Sequence, residues 1–174
     1  MRPMRRLLDA LYDAAAYLAA FFMVGTLAAI LLGIAGRLLG FYVRGTDAYA
    51  GYCMAAAAFL ALAHTLKRGE HIRVTLILEH VGTRVNRALE IWCHGAGVLL
   101  AGALAWFSLR LVWQSHAFND ISQGNDATPL WIPQLAMALG ATVLLVALLD
   151  DLAALLRGQS IKPAKLDNEP AHLE

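Results

Sequence analysis

AAAYLAAFFMVGTLAAILLGIAG, residues Ala14 to Gly36, runs for 23 residues without one Asp, Glu, Lys or Arg. A helix rising 1.5 Å per residue needs about 20 residues to cross a hydrocarbon core about 30 Å thick, and it satisfies its own backbone hydrogen bonds as it does so. The run is long enough. It also exceeds the roughly 7 to 15 apolar residues of a signal-peptide core, so a retained span is expected. Three further uncharged runs follow, at Ala48 to Leu66, Ile91 to Leu109 and Ala127 to Leu149. Of the 174 residues 59% are hydrophobic and 16% charged, against roughly 45–50% apolar residues in soluble domains, so lipid is the expected solvent. The spacing predicts an all-α integral membrane protein with four transmembrane helices at about 14–36, 48–66, 91–113 and 129–151. Together they form a domain over 1–158, with a polar tail at 159–174 that is expected to be disordered.

Cations set the expected orientation. Arg2, Arg5 and Arg6 precede the first span, Lys67, Arg68, Arg73, Arg84 and Arg87 lie between the second and third, and Arg157, Lys162 and Lys165 follow the fourth. The opposite side has Arg37 and Arg44, with Arg110 near the outer end of span three. The positive-inside rule then places both termini in the cytoplasm. The net charge of +1 conceals this segregation, and with no face concentrating base-reading chemistry, nucleic acid is not expected as a partner. Cys53 and Cys93 form no CxxC pair and are read as packing residues.

Around the spans, Leu7, Leu8, Leu11 and Tyr12 against Arg5, Arg6, Asp9 and Asp13 predict an amphipathic lead lying at the interface before the chain turns in. Phe41 and Tyr42 mark the outer boundary, and Thr46 or Asp47 suits the cap of the second helix. That helix is rich in Ala, which predicts close packing against protein on much of its circumference. Gly25, Ala29 and Gly33 in span one, and Gly97, Ala101 and Ala105 in span three, repeat small residues every four positions. Such faces serve either packing within the chain or contact with another subunit. Between spans two and three, Lys67 to Glu90 mixes apolar and charged residues and predicts an interfacial amphipathic segment, whose later part, TRVNRALEIW, is able to prolong the third helix. Pro129 fits a helix start before Trp131 at the interface.

Chemistry-bearing patterns are sparse. No ionisable residue sits near mid-span, where one would mark a substrate or proton path, and a proton-coupled exporter would need one. Asp150 and Asp151 read as helix-end anchors, with an ion pair to the basic loop as the alternative. His64 and His94, near the inner ends of spans two and three, could face each other as axial haem ligands, the pattern of a haem-binding membrane anchor of a respiratory enzyme. No GxSxG, Walker loop, HExxH or zinc spacing occurs, so no enzyme is expected.

The stretches LAHTLKRGEHIRVTLI and TPLWIPQLAMALG resemble the small membrane subunit of tripartite ATP-independent periplasmic (TRAP) transporters, the Q-type permease component, over about Ala14 to Gly158. The resemblance rests on Gly69, His71, Ile72, Arg73 and Val74, and on Pro129, Trp131, Ile132 and Pro133, with Gln134 beside them. Members of the family often carry Glu and Trp near the start of span two, where this chain has Asp47 and Tyr49. The resemblance implies a bacterial inner-membrane subunit that braces a large sodium-coupled membrane subunit for uptake of an organic acid, delivered by a periplasmic binding protein. No cofactor is implied for the small chain itself, since sodium coupling belongs to the large subunit. Spans one to three are expected to pack on the large subunit, with Gly69 to Val81 at the cytoplasmic interface. Gly25, Gly33, Gly97, Asp47, Gly69, His71, Arg73, Pro129, Trp131 and Gln134 are the candidate contacts, and the loop 115–129 is on the side of the binding protein. The small subunit of another tripartite solute transporter shares the same pattern.

Overall fold

The computed structural model describes residues 2–68 and 83–158. Four helices account for most of them: α1 (Arg2–Leu39), α2 (Thr46–Arg68), α3 (Thr83–Ala117) and α4 (Trp131–Leu156). Each holds a segment long and apolar enough to cross a membrane, namely Arg5–Leu39, Thr46–Arg68, Arg87–Ala117 and Trp131–Leu156. The expected four-span, all-helical class is what the chain adopts.

Two details differ from the sequence expectation. The amphipathic lead does not turn at the interface but runs unbroken into α1, a helix of 38 residues. Neither Gly nor Pro occurs between Met4 and Val24, and the Ala-rich stretch from Ala14 favours helix, so nothing is present to make a bend. At 1.5 Å per residue α1 is about 57 Å long, well beyond the hydrocarbon thickness. Asp150 and Asp151, expected to close the last helix, lie more than a turn inside it, because α4 continues to Leu156. The residues TRVNRALEIW do prolong the third helix, which begins at Thr83. The expected interfacial segment at 69–81 and the tail at 159–174 lie outside the described residues.

α1 packs on α2, α2 on α4, and α4 on α3, so the spatial order is α1–α2–α4–α3. α1 meets α4 lightly, and among the described residues neither α1 nor α2 makes sustained contact with α3. The helices therefore stand in a row and do not close into a bundle. Small residues make the central crossing possible, since lipid tails supply no hydrophobic drive between helices and close van der Waals packing must hold them. Ala56, Ala57 and Ala63 of α2, and Ala138, Ala141 and Ala147 of α4, are buried. At Gly140 a Cβ would lie 2.5 Å from the Phe59 carbonyl, so the two backbones meet there. Near one end Tyr12 of α1 inserts against Ala63 and Ala147, with Leu8, Leu66 and Val143 around it.

α1 ends where Gly40 takes φ 75° and the Phe41 N–H donates to the Gly36 carbonyl at 3.0 Å, a closure that satisfies an orphan carbonyl of the last turn. Hydroxyls within the helices bond back to their own turns: Thr26 to Phe22 O, Thr65 to Ala61 and Leu62 O, and Thr142 to Ala138 O. In hydrocarbon no water would otherwise satisfy them.

Candidate functional site

Two polar assemblies sit at opposite ends of the row. At the end carrying the N-terminus, the Lys67 ammonium on the last turn of α2 donates to Asp150 Oδ2 at 2.6 Å and to Asp151 Oδ1 at 2.8 Å on α4. Lys67 Nζ also lies 5.3 Å from the centre of the Tyr12 ring of α1, within cation–π range. Asp151 is buried, so its charge needs this partner. The knot joins three helices. Nearby, Arg87 of α3 donates to the Leu155 carbonyl at 3.4 Å in the last turn of α4, and His64 Nδ1 stands 3.7 Å from Asp13 Oδ1.

The opposite end is closed by the α3–α4 loop. Its base is a short bridge, with the Ser122 N–H donating to Thr128 O and the Leu130 N–H to Asp120 O, and Ile121 paired to Pro129. From this base the loop reaches back to the start of α2 and the preceding turn through three tyrosines. The Tyr52 hydroxyl donates to Asp126 Oδ2 at 3.1 Å, the Tyr49 and Thr128 hydroxyls share a hydrogen bond at 3.3 Å, and the Asn125 amide donates to Tyr42 Oη at 3.1 Å. Ser122 also donates to Asp126, at 2.8 Å. Hydroxyl donors, Thr128 foremost and then Ser122 and Tyr52, hold the Asp126 carboxyl down at about 2. Ser122, Asp126 and Thr128 are thus half-buried, while Phe118 and Ile121 remain exposed.

The candidate residues divide by position. Gly69, His71 and Arg73 lie outside the described residues. Asp47 stands in the first turn of α2 with its carboxylate 3.5 Å from the Arg37 guanidinium. Gly33 lies close by, where a Cβ would meet Thr46 Oγ1 at 3.0 Å. A Cβ at Gly25 would meet Cys53 Sγ at 3.3 Å, and one at Gly97 would meet Leu148 at 3.5 Å. All three glycines therefore face neighbouring helices of the same chain. Pro129, Trp131 and Gln134 gather at the start of α4. The Trp131 ring packs edge-on to His116 of α3, and Gln134 Oε1 is buried without a hydrogen-bond partner. Pro133 falls in the first helical turn, where its missing N–H costs nothing.

The histidines considered as haem ligands are not brought together. His64 faces α1, His94 donates from Nδ1 to the Glu90 carbonyl of its own helix at 2.9 Å, and α4 stands between α2 and α3. The Lys67 knot is the ion-pair alternative for Asp150 and Asp151, with Lys67 the first cation of the basic segment, whereas the Gly140 crossing and the tyrosine cap were not anticipated. Tyr49 and Tyr52, three residues apart on α2, are the sequence signal that points to the cap.

No curated relative matches the chain. The family model described as tripartite ATP-independent periplasmic transporters, DctQ component, matches residues 26–158, which takes in the C-terminal part of α1 from Thr26, all of α2 to α4 and the closing loop. With four membrane-capable helices, the last three wholly inside that stretch, the chain belongs to the DctQ-component family of tripartite ATP-independent periplasmic transporters, as a small multi-pass subunit of the inner membrane.

Proposed function

We propose that this subunit braces the large sodium-coupled membrane subunit of its transporter, and that it does so through the free edge of α3. The family implies a large membrane partner and a periplasmic binding protein. Uptake of an organic acid, with substrate and sodium sites in the large subunit and both termini of this chain in the cytoplasm, completes the proposal.

One observation carries the assignment of the edge. Trp92, Leu99, Trp106 and Trp113 recur every seventh residue along α3, and all four are exposed. A seven-residue repeat is what a helix presents to a second helix crossing at a shallow left-handed angle. Tryptophan favours the two membrane interfaces, which accounts for Trp92 and Trp113 at the ends of the span. Trp106 is different. It lies four residues, about 6 Å, past the span's midpoint, at hydrocarbon depth, yet it is 69% exposed. Gly95 lies between Trp92 and Leu99, and a Cβ there would meet no atom within 4 Å, leaving room for a partner side chain. α2, by contrast, is flanked by α1 and α4. Among the spans proposed to carry the contact, α3 is favoured.

Coexpression tests this. Yield and protease resistance of the chain should rise when the large subunit is present, and Trp106→Ala should cut copurification at least fivefold without changing helix content. Equal stability with and without the large subunit, or organic-acid uptake by liposomes holding this chain alone, would sink the bracing role.

A further inference from the structure

Where α1 ends and α2 begins, the turn and the tip of the α3–α4 loop enclose a cavity of about 300 Å³. Gly33, Arg37, Tyr42, Thr46, Asp47 and Asn125 are among the residues lining it. That volume is at the lower bound of small-ligand pockets, roughly 300–1,000 Å³. Its rim carries one cation and one anion. Arg37 Nη2 and Asp47 Oδ2 are 3.5 Å apart, with side chains 76% and 89% exposed, so the pair is long and hydrated and neither charge is committed to the other. The neighbouring charges do not upset this balance: Arg44 is exposed on the turn, and Asp126 has its oxygens engaged by Ser122 and Tyr52.

Depth narrows the ligand. Arg37 is the first charged residue after the 23 uncharged residues of span one, and Phe41 and Tyr42 follow it, so the cavity lies at the level of lipid headgroups beside an aromatic belt. We propose that it holds the headgroup of a zwitterionic phospholipid bearing a primary ammonium group, with the phosphodiester on Arg37 and the ammonium on Asp47. A guanidinium fork matches two phosphate oxygens, and an ammonium N–H donates a charge-assisted bond to a carboxylate. Tyr42 Oη accepts from Asn125, which leaves its own O–H free to donate to the phosphate. Gly33 and Thr46 form the floor on the α1–α2 seam, where the absence of a side chain on Gly33 lets Thr46 approach. An anionic lipid would set its extra negative charge against Asp47. A quaternary ammonium has no N–H to give that carboxylate.

The full-length chain in mild detergent, supplied with equimolar phosphatidylethanolamine, phosphatidylglycerol and phosphatidylcholine of matched acyl chains, tests the site by native mass spectrometry. The lipid adduct lost in Arg37→Gln should be phosphatidylethanolamine, favoured at least fivefold over the other two. Asp47→Asn should keep an adduct but bring phosphatidylethanolamine and phosphatidylglycerol within twofold. Equal retention of all three lipids, or no change in either variant, would overturn the site. Soluble glycerophosphoethanolamine binding as tightly as the lipid would overturn the lipid assignment in favour of a free zwitterion. If both variants weaken capture of the periplasmic binding protein while lipid retention stays constant, the cavity belongs to a protein contact and the proposal fails.

Discussion

At Lys67 one ammonium group serves two carboxylates, and the consequences of removing it differ from those of removing all three charges. Lys67→Met leaves the buried Asp151 with an uncompensated charge, at an expected cost of about 2–3 kcal/mol once partial exposure of Asp150 is allowed for. Adding Asp150→Asn and Asp151→Asn should restore most of that loss, because the desolvated charges go with it. Thermal unfolding in detergent reads both, and an unchanged midpoint in Lys67→Met would remove the knot from the list of stabilising features. Asp126 makes a prediction of opposite location and defined pH. Its carboxyl is depressed from 3.8 to about 2, so the cap's contribution is complete above about pH 4 and is lost as pH falls through about 2. Hydrogen exchange of the loop amides should show that loss of protection, and Asp126→Asn should flatten it. The sequence offered the aspartates an ion pair with the basic segment only as an alternative, without choosing Lys67, and it gave no sign of the Asp126 cluster. Lys67 and Asp150 are 83 positions apart, and the aspartates beside a charge-free run look the same whether they face headgroups or another helix. Asp126 sits in a loop whose register depends on the Ile121–Pro129 bridge.

Among the elements, the four spans were legible because a run without ionisable residues has few other physical accounts, and the Ala-rich second span announced its central place. The order of the row was not legible, since it rests on which small residue meets which backbone. Gly140 decides the α2–α4 crossing, yet it stands among Ala and Leu residues with nothing to distinguish it in sequence. Gly140→Ala would drive a Cβ into the Phe59 carbonyl at 2.5 Å, and the helices must separate, at about 1–3 kcal/mol. Gly51 provides the contrast. It lies on the same helix as Phe59, and a Cβ there would meet no atom within 4 Å, so Gly51→Ala should leave stability unchanged or raise it by up to about 1 kcal/mol through helix propensity. Melting the two variants side by side separates packing from propensity, and equal shifts would mean that the crossing is looser than Gly140 implies.

For the whole molecule, an open row leaves two apolar edges, and the proposed brace gives them different neighbours. α1 presents Tyr17, Phe21, Val24, Leu31 and Leu38 to its surroundings, ordinary lipid-facing side chains in the hydrocarbon, with tyrosine toward one end. α3 presents the tryptophan repeat, in which Trp106 lies too deep for an interfacial anchor. If α3 is covered by the large subunit and α1 by lipid, single cysteines should tell the edges apart. In a background lacking Cys53 and Cys93, Leu99→Cys and Trp106→Cys in the assembled complex should yield crosslinks to the large subunit with a short bifunctional maleimide. Phe21→Cys and Leu31→Cys should yield none and should instead react with a lipid-soluble maleimide. The reverse pattern would move the brace to α1. Crosslinking from both edges would mean that the partner wraps the row, and the seven-residue repeat would then have no privileged role in assembly.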